Sequence, residues 1–176
     1  VINGVECEPF LTCDHRLMLE QTEELLEGCR LLQAAYGFET IYIGIEANKP
    51  DAIEAFEKKA AAFADLPLKV AALEVKYPQG AEKMLIKALT DRTVPMGKLP
   101  MEVGTIVSNV QTLYAIYEAV YYRKPLIERV VTVTGSGINA PRNLRATIGT
   151  PLESLVDTCD GMSEEVDKVV VGGPMT

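Results

Sequence analysis

The feature that most restricts the fold is an alternation. Through the first 124 residues, short β-rich runs are each followed by a stretch in which apolar residues recur every three or four positions. Met18, Leu25, Cys29, Leu32 and Tyr36 keep helical spacing between about residues 16 and 36, and Gly37 follows as a stop. Thr40 to Ile45 is β-rich. Pro50 and Asp51 then open a helix in which Ile53, Phe56, Ala60 and Phe63 share one face. Val70 to Val75 reads as the next strand, and Gly80 leads into a helix carrying Leu85, Ile86 and Leu89. Beyond an irregular stretch from Thr93 to Met101, Val103 to Val107 is expected as a strand feeding a helix with Leu113, Ile116, Tyr117 and Val120 inward. Strands alternating with helices at this spacing form parallel β-α-β units with right-handed crossovers. The expected fold is therefore α/β, a Rossmann-like parallel sheet with helices on both faces. Val1-Ile2 reads as the tail of a longer first strand, so the domain is expected to be N-terminally truncated and the chain an excised segment.

After Lys124-Pro125 the texture changes. Val130 to Thr134 is β-rich, Gly135-Ser136-Gly137 reads as a turn, Leu144 to Ile148 as a second strand, Pro151 to Thr158 as a short helix and Val169 to Val171 as a last strand. This predicts a small α+β unit over residues 125–176, following an α/β domain over 1–124.

Composition removes several classes of function. A formal net charge of −8 leaves no basic surface for phosphate backbones, so nucleic acid is not an expected partner. No run approaches the roughly 18 apolar residues that span a bilayer. Cys7, Cys13, Cys29 and Cys159 fit no zinc or iron–sulfur spacing, so no metal site is expected, and Cys29 reads as a small hydrophobe on a helix in a reducing cytoplasm. The single histidine, His15, has no Ser or Cys partner at a spacing that would suggest a hydrolytic triad.

In open α/β sheets ligands settle beyond the carboxyl ends of the strands, where loops enter helix N-termini. Three loops are expected at that edge: Asn3-Gly4-Val5-Glu6-Cys7-Glu8-Pro9, Lys76-Tyr77-Pro78-Gln79-Gly80-Ala81-Glu82-Lys83, and Ser108-Asn109-Val110-Gln111-Thr112. Each also has a purely structural explanation. Asn-Gly favours turns, Glu82 would stabilise a helix dipole, and Asn109 or Ser108 would cap a helix without any ligand. What they share is placement, because one concave site needs loops from several strands at once. A nucleotide is the natural occupant, although neither a complete G-x-G-x-x-G nor a P-loop is present.

Those loops, together with Asp14-His15-Arg16, Lys124 to Arg129 and Gly172-Gly173-Pro174-Met175, give the chain its resemblance to the C subunit of Rnf electron transport complexes. The resemblance covers essentially the whole sequence. It extends more distantly to the flavin-bearing, NADH-oxidising subunit of respiratory complex I. It implies an FMN-binding core followed by a soluble-ligand-binding β-grasp module. Carried over by motif, Asn3 and Glu6 would sit at the flavin and its ribityl chain, and Tyr77 and Gly80 beside the ring. Ser108, Asn109 and Thr112 would lie near the ribityl and phosphate end, and Glu8 and Glu82 would approach the nicotinamide dinucleotide. Val5, Ala81 and Ser108 depart from the residues usual at their positions and bear on individual hydrogen bonds.

The resemblance further implies a protein that passes electrons between NAD(H) and iron–sulfur clusters or ferredoxin. Its partners would be the other subunits of a membrane complex, and its place the cytoplasmic side, peripheral to the inner face of the cell membrane. The family's glycine-rich flavin loop and its [4Fe–4S] cysteines have no counterpart among these residues. FMN binding by the isolated chain is accordingly expected to be weak or absent, and the fragment inactive alone. Two other readings stay open: a corrinoid reductase flavoprotein, and a ligand-binding or scaffold piece without catalysis.

Overall fold

The computed structural model describes residues 1–175, which divide into two compact units. The first comprises Val1–Cys7 and Asp14–Lys124, and the second Glu8–Cys13 and Pro125 onward. The division at Lys124 falls where the sequence changes texture. The assignment of Glu8–Cys13 to the second unit is not visible from contiguity.

The first unit is built on four parallel strands, β1 (Ile2–Gly4), β2 (Ile41–Glu46), β3 (Leu68–Leu73) and β4 (Ser108–Asn109), in the order β3-β2-β1-β4. The connecting helices are α1 (Cys13–Glu20), α2 (Thr22–Tyr36), α3 (Pro50–Ala60), α4 (Glu82–Thr90) and α5 (Val110–Tyr122). Successive strand residues face opposite sides, so β2 sorts its own neighbours. Ile41, Ile43 and Ile45, with Ile2, join a buried cluster containing Met18, Leu25, Leu26, Cys29, Phe56, Val110 and Leu113 from α1, α2, α3 and α5. The other face is covered by α4. There a Cβ on Gly44 would meet Leu73, Leu85 and Leu89 at 3.1 to 3.3 Å, so the absence of a side chain lets α4 lie close to the sheet. Gly28 plays the same part between helices: a Cβ there would come within 2.9 Å of the Leu113 side chain of α5. Each large side chain withdrawn fully from water, such as Phe56 or Leu25, contributes on the order of 1.5–3 kcal/mol.

Several local expectations are corrected. The helix read over residues 16–36 is two helices that meet at Gln21, whose backbone leaves the helical region (φ −128°, ψ 33°). Buried Thr22 returns its hydroxyl to the Met18 carbonyl at 2.7 Å there, a bond that competes with regular helix geometry. Tyr36 and Val120, expected to face the core, lie on the surface in the last turns of α2 and α5. Val75 lies beyond β3 and is exposed. The strand expected at Val103–Val107 is absent. Pro100–Val103 forms a short 3₁₀ turn ended by Gly104 at φ +65°, and pairing with β1 is confined to Ser108 and Asn109.

In the second unit β5 (Glu128–Val133) pairs antiparallel with β6 (Arg142–Thr147), followed by α6 (Leu152–Thr158). This is the small α+β, β-grasp-like module expected there. Thr132 on β5 accepts the N–H groups of Thr12 and Cys13, both at 3.1 Å, and donates its hydroxyl to Asn143 on β6 at 2.8 Å. The strand expected at Val169–Val171 does not form. All three side chains are exposed, and without a neighbouring strand β-branched residues have no surface to pack on.

Candidate functional site at the carboxyl edge of the parallel sheet

Strands β1 and β4 are adjacent and in register, Asn3 opposite Asn109, so the loops that leave them begin side by side. Both ends of the Asn3 side-chain amide are engaged in the framework. Its Nδ2 donates to the Gly80 carbonyl at 2.9 Å and its Oδ1 accepts from the Val5 N–H at 3.0 Å. The first bond ties the β1 loop to the loop entering α4. A side chain at Gly80 would crowd that junction, since a Cβ would stand 3.0 Å from the Val5 carbonyl oxygen and 3.1 Å from the Cys7 sulfur.

Glu6 turns back onto α1. Its carboxylate accepts the N–H of Asp14 at 3.0 Å and, more weakly, that of His15 at 3.4 Å. A negative group over the first turn satisfies amides that have no partner inside the helix and suits the positive end of its dipole. Asn109 is the N-cap of α5: its Oδ1 accepts from the Gln111 N–H at 2.8 Å. Its Nδ2 donates to Asp14 Oδ2 at 2.7 Å, and Gln111 Nε2 donates to Asp14 Oδ1 at 2.8 Å.

The loops of β1, α4 and β4 are thus joined by side-chain hydrogen bonds running through Asn3, Gly80, Glu6, Asp14 and Asn109. The remaining candidates flank these joints. Tyr77 is exposed and precedes Pro78 through a cis peptide bond. Glu82 is exposed in the first turn of α4, where the N-cap residue Ala81 supplies no side-chain acceptor to the free amides. Ser108 is half-buried, with its N–H on the Val1 carbonyl at 2.9 Å, and Thr112 is exposed in the first turn of α5. Glu8 belongs to the second unit, where its carboxylate accepts the Met175 N–H at 3.0 Å.

Two features of the first unit escape the sequence reading. Asp14 is one, a buried acid that gathers two amide side chains. The other lies at the carboxyl end of β2. Glu46 and Lys49 form a 2.5 Å ion pair with side chains 3% and 9% exposed, and Glu46 stands beside Leu73 in the strand register. Burying two charges is costly unless they are paired, and the three-residue spacing after a strand was the available signal. Elsewhere, His15 Nε2 meets Asp51 at 2.8 Å at the surface, and this bond holds the Asp51 carboxyl below its ordinary range. Burial pushes the Cys29 thiol up to about 12, in keeping with its place as a core hydrophobe.

Comparisons with known proteins bear on what such an edge serves. Residues 1–118 match the family model described as the Nuo51 FMN-binding domain, and residues 130–176 match the SLBB domain. The chain is 47% identical over 99% of its length to the C subunit of the proton-translocating ferredoxin:NAD(+) oxidoreductase complex of Clostridium ljungdahlii, covering 38% of that protein. It is 47% identical to the C subunit of the Na(+)-translocating ferredoxin:NAD(+) oxidoreductase complex of Acetobacterium woodii, over 99% of this chain and 39% of that one. With the C subunit of the ion-translocating oxidoreductase complex of Rhodobacter capsulatus the identity is 43%, over 99% of this chain and 34% of the relative. The chain therefore spans little more than a third of the length of these relatives. Among solved structures, an NAD+-reducing [NiFe]-hydrogenase in the air-oxidized state superposes with a TM-score of 0.75 at 24% identity, over 92% of this chain and 32% of that one. That likeness speaks for the fold. Among the described residues no helix is long and apolar enough to cross a membrane.

Proposed function

This chain belongs to the C-subunit family of Rnf-type ion-translocating oxidoreductase complexes, and from that premise we propose that its first unit forms part of an FMN site exchanging electrons with NAD(H). The observation that carries the proposal is the joining of three loops at one sheet edge, inside the stretch matched by the FMN-binding family model. In this reading the electrons pass on to iron–sulfur clusters and ferredoxin through parts of the full-length protein and its partners. The same reading puts it peripherally at the cytoplasmic face of a membrane-associated complex.

The residues present suit such a cofactor. The amides of the first turn of α4 lack a side-chain cap and suit acceptor oxygens, and Tyr77, in the loop that leads into α4, offers an exposed aromatic ring. Tyr77 and Gly80 are assigned to the ring system. Asn3 and Glu6 are assigned to the flavin and its ribityl chain, and Ser108, Asn109 and Thr112 to the ribityl and phosphate end. Glu82 is the acid of the first unit assigned to the nicotinamide dinucleotide; Glu8, expected to share that role, belongs to the second unit, where its carboxylate is taken by the Met175 N–H. FMN, when bound, supplies two-electron exchange with a nicotinamide and one-electron exchange with a metal cluster. The chain's own residues hold the loops in place and set the local charge. Glu82 at the site disfavours an added negative charge there.

Asn3, Glu6 and Asn109 also tie the β1 loop to the loop entering α4, to the start of α1 and, through Asp14, to the start of α5, so besides facing the cofactor they fix backbone position. The test is made on the purified full-length subunit. A visible flavin absorbance band in stoichiometric amount, bleached by NADH, is expected. A colourless protein that takes up no added FMN overturns the proposal. For the 176-residue chain alone, weak or no FMN uptake is expected, since it carries no glycine-rich phosphate loop. Tight stoichiometric uptake by this chain refutes that.

A further inference from the structure

Asp14 stands at the crossing point of the site's framework. It is 8% exposed, at the start of α1, and its two carboxylate oxygens are divided between two donors, Asn109 Nδ2 at 2.7 Å and Gln111 Nε2 at 2.8 Å. Its own N–H is held by Glu6 at 3.0 Å. One residue therefore connects the β1 loop, the start of α1 and the start of α5. The donors lie 95 and 97 positions away in the chain, so nothing local supplies them.

The chemistry of the partners is informative. An asparagine amide can present either its oxygen or its nitrogen to a given neighbour, and only its surroundings select which. At Asn109 the oxygen must accept the Gln111 N–H for the cap to form. A carboxylate at position 14 accepts only, so it fixes the nitrogen end of Asn109 toward itself and the oxygen end toward the helix. Gln111 is held by the same logic through its side chain. Bonds to an ionised acceptor are about twice as strong as neutral ones, and a buried position shields them from competing water.

We propose that Asp14 is a positioning residue of the site, which sets the amide orientation of Asn109 and the placement of the first turn of α5 without contacting the ligand. This rests on the flavin reading above and assigns the framework role to a residue outside the three loops.

The decisive variants exchange the two groups. Asp14→Asn keeps size but leaves a single acceptor for two donors. It is expected to weaken FMN binding by the full-length subunit about 10- to 100-fold. Combining it with Asn109→Asp rebuilds these three bonds: the new amide nitrogen at position 14 donates to the new carboxylate at 109, its oxygen accepts Gln111 Nε2, and the carboxylate still caps the Gln111 N–H. The double variant is expected to return affinity to within about threefold of the parent. A residue required for its charge at position 14, or for the bulk fold alone, gives no such recovery, and failure of the exchange to restore binding overturns the proposal.

Hydrogen exchange at the Gln111 amide provides a readout independent of flavin. It should quicken in Asp14→Asn and slow again in the double variant. Unchanged exchange in the single variant overturns the brace itself, whatever the affinity. Faster exchange with unchanged FMN affinity overturns the positioning role. If the parent protein binds no FMN, the flavin reading fails and the positioning role with it, while the exchange data still decide whether the brace exists. Should Asp14→Asn not fold, Gln111→Met removes one of the two donors and must weaken binding in the same direction by a smaller factor.

Discussion

The two units of this chain are stabilised by different means. Nearly all of the buried large apolar side chains belong to the first, with Phe56, Met18, Leu25, Leu26, Ile43 and Ile45 withdrawn from water on one side of its sheet. In the second, every residue of β5 is only half-buried, α6 buries none of its residues, and Cys159 is its one fully covered apolar side chain among those described. Its strands are held instead by ladder hydrogen bonds and by the Thr132, Asn143 and Thr12 side chains. A sheet that packs helices on both sides tolerates a polar edge for chemistry. A two-stranded ribbon has little core and fixes itself with polar contacts.

The contrast can be broken most directly at Phe56. Phe56→Ala should destabilise the first unit by about 3–5 kcal/mol in denaturant unfolding, whereas Val131→Ala on β5 should cost about 1 kcal/mol. Equal costs would end the distinction. Next in size is Gly28→Ala, where the added methyl meets Leu113 at 2.9 Å; a loss of about 1–3 kcal/mol is expected, and a stabilised variant would show that the α2 and α5 contact has slack. Thr132→Val, which is nearly isosteric, removes one acceptor and one donor and should cost about 1–2 kcal/mol, localised to the second unit by hydrogen exchange at Thr12 and Cys13.

The smallest effects are electrostatic. His15→Gln removes the bond that depresses Asp51. Because the folded carboxyl titrates below its ordinary value of 3.8, the stability it adds is present above that pH and lost as pH falls through the folded value. Both groups are solvent-screened, so the difference between parent and variant should not exceed about 0.5 kcal/mol in an acid titration of unfolding. Cys29 has the opposite sense. Its thiol rises from 9.0 to about 12 on folding, so stability is constant below 9.0 and falls as pH climbs toward 12. It should also resist alkylation in the folded chain at mildly alkaline pH, and rapid modification there would contradict its burial.

Much of the first unit was legible because its signals are local. The isoleucines of β2, the Pro-Asp start of α3 and the Gly80 entry to α4 each carry their meaning within a few residues. The break at Gln21 was not, since Met18, Leu25, Cys29 and Leu32 hold helical spacing straight across it and only the return of the Thr22 hydroxyl to Met18 marks the joint. Nor was the brevity of β4, which depends on how far β1 can pair with it. At the candidate site, the three loops could be picked out from Gly80 and the capping residue Asn109. Asp14 could not, because an acid beginning a helix looks ordinary until its distant amide partners are in place. Gly173 and Glu8 show the same limit in the second unit: the glycine accommodates the acid, since a Cβ there would overlap the Glu8 side chain.

The excursion of Glu8–Cys13 into the second unit sets an order of events during synthesis. These residues leave the ribosome ahead of the groups that hold them, Thr132 and Asn143, which are made more than a hundred residues later. The first unit's sheet and helices can be assembled while this short stretch waits as an open strap. No single cut of the chain separates the two units cleanly. A chain ended at Lys124 would keep the strap and lose the groups it fastens to, leaving it open; in the longer chain a partner able to occupy that stretch, such as a chaperone, would find it open only until those groups are made.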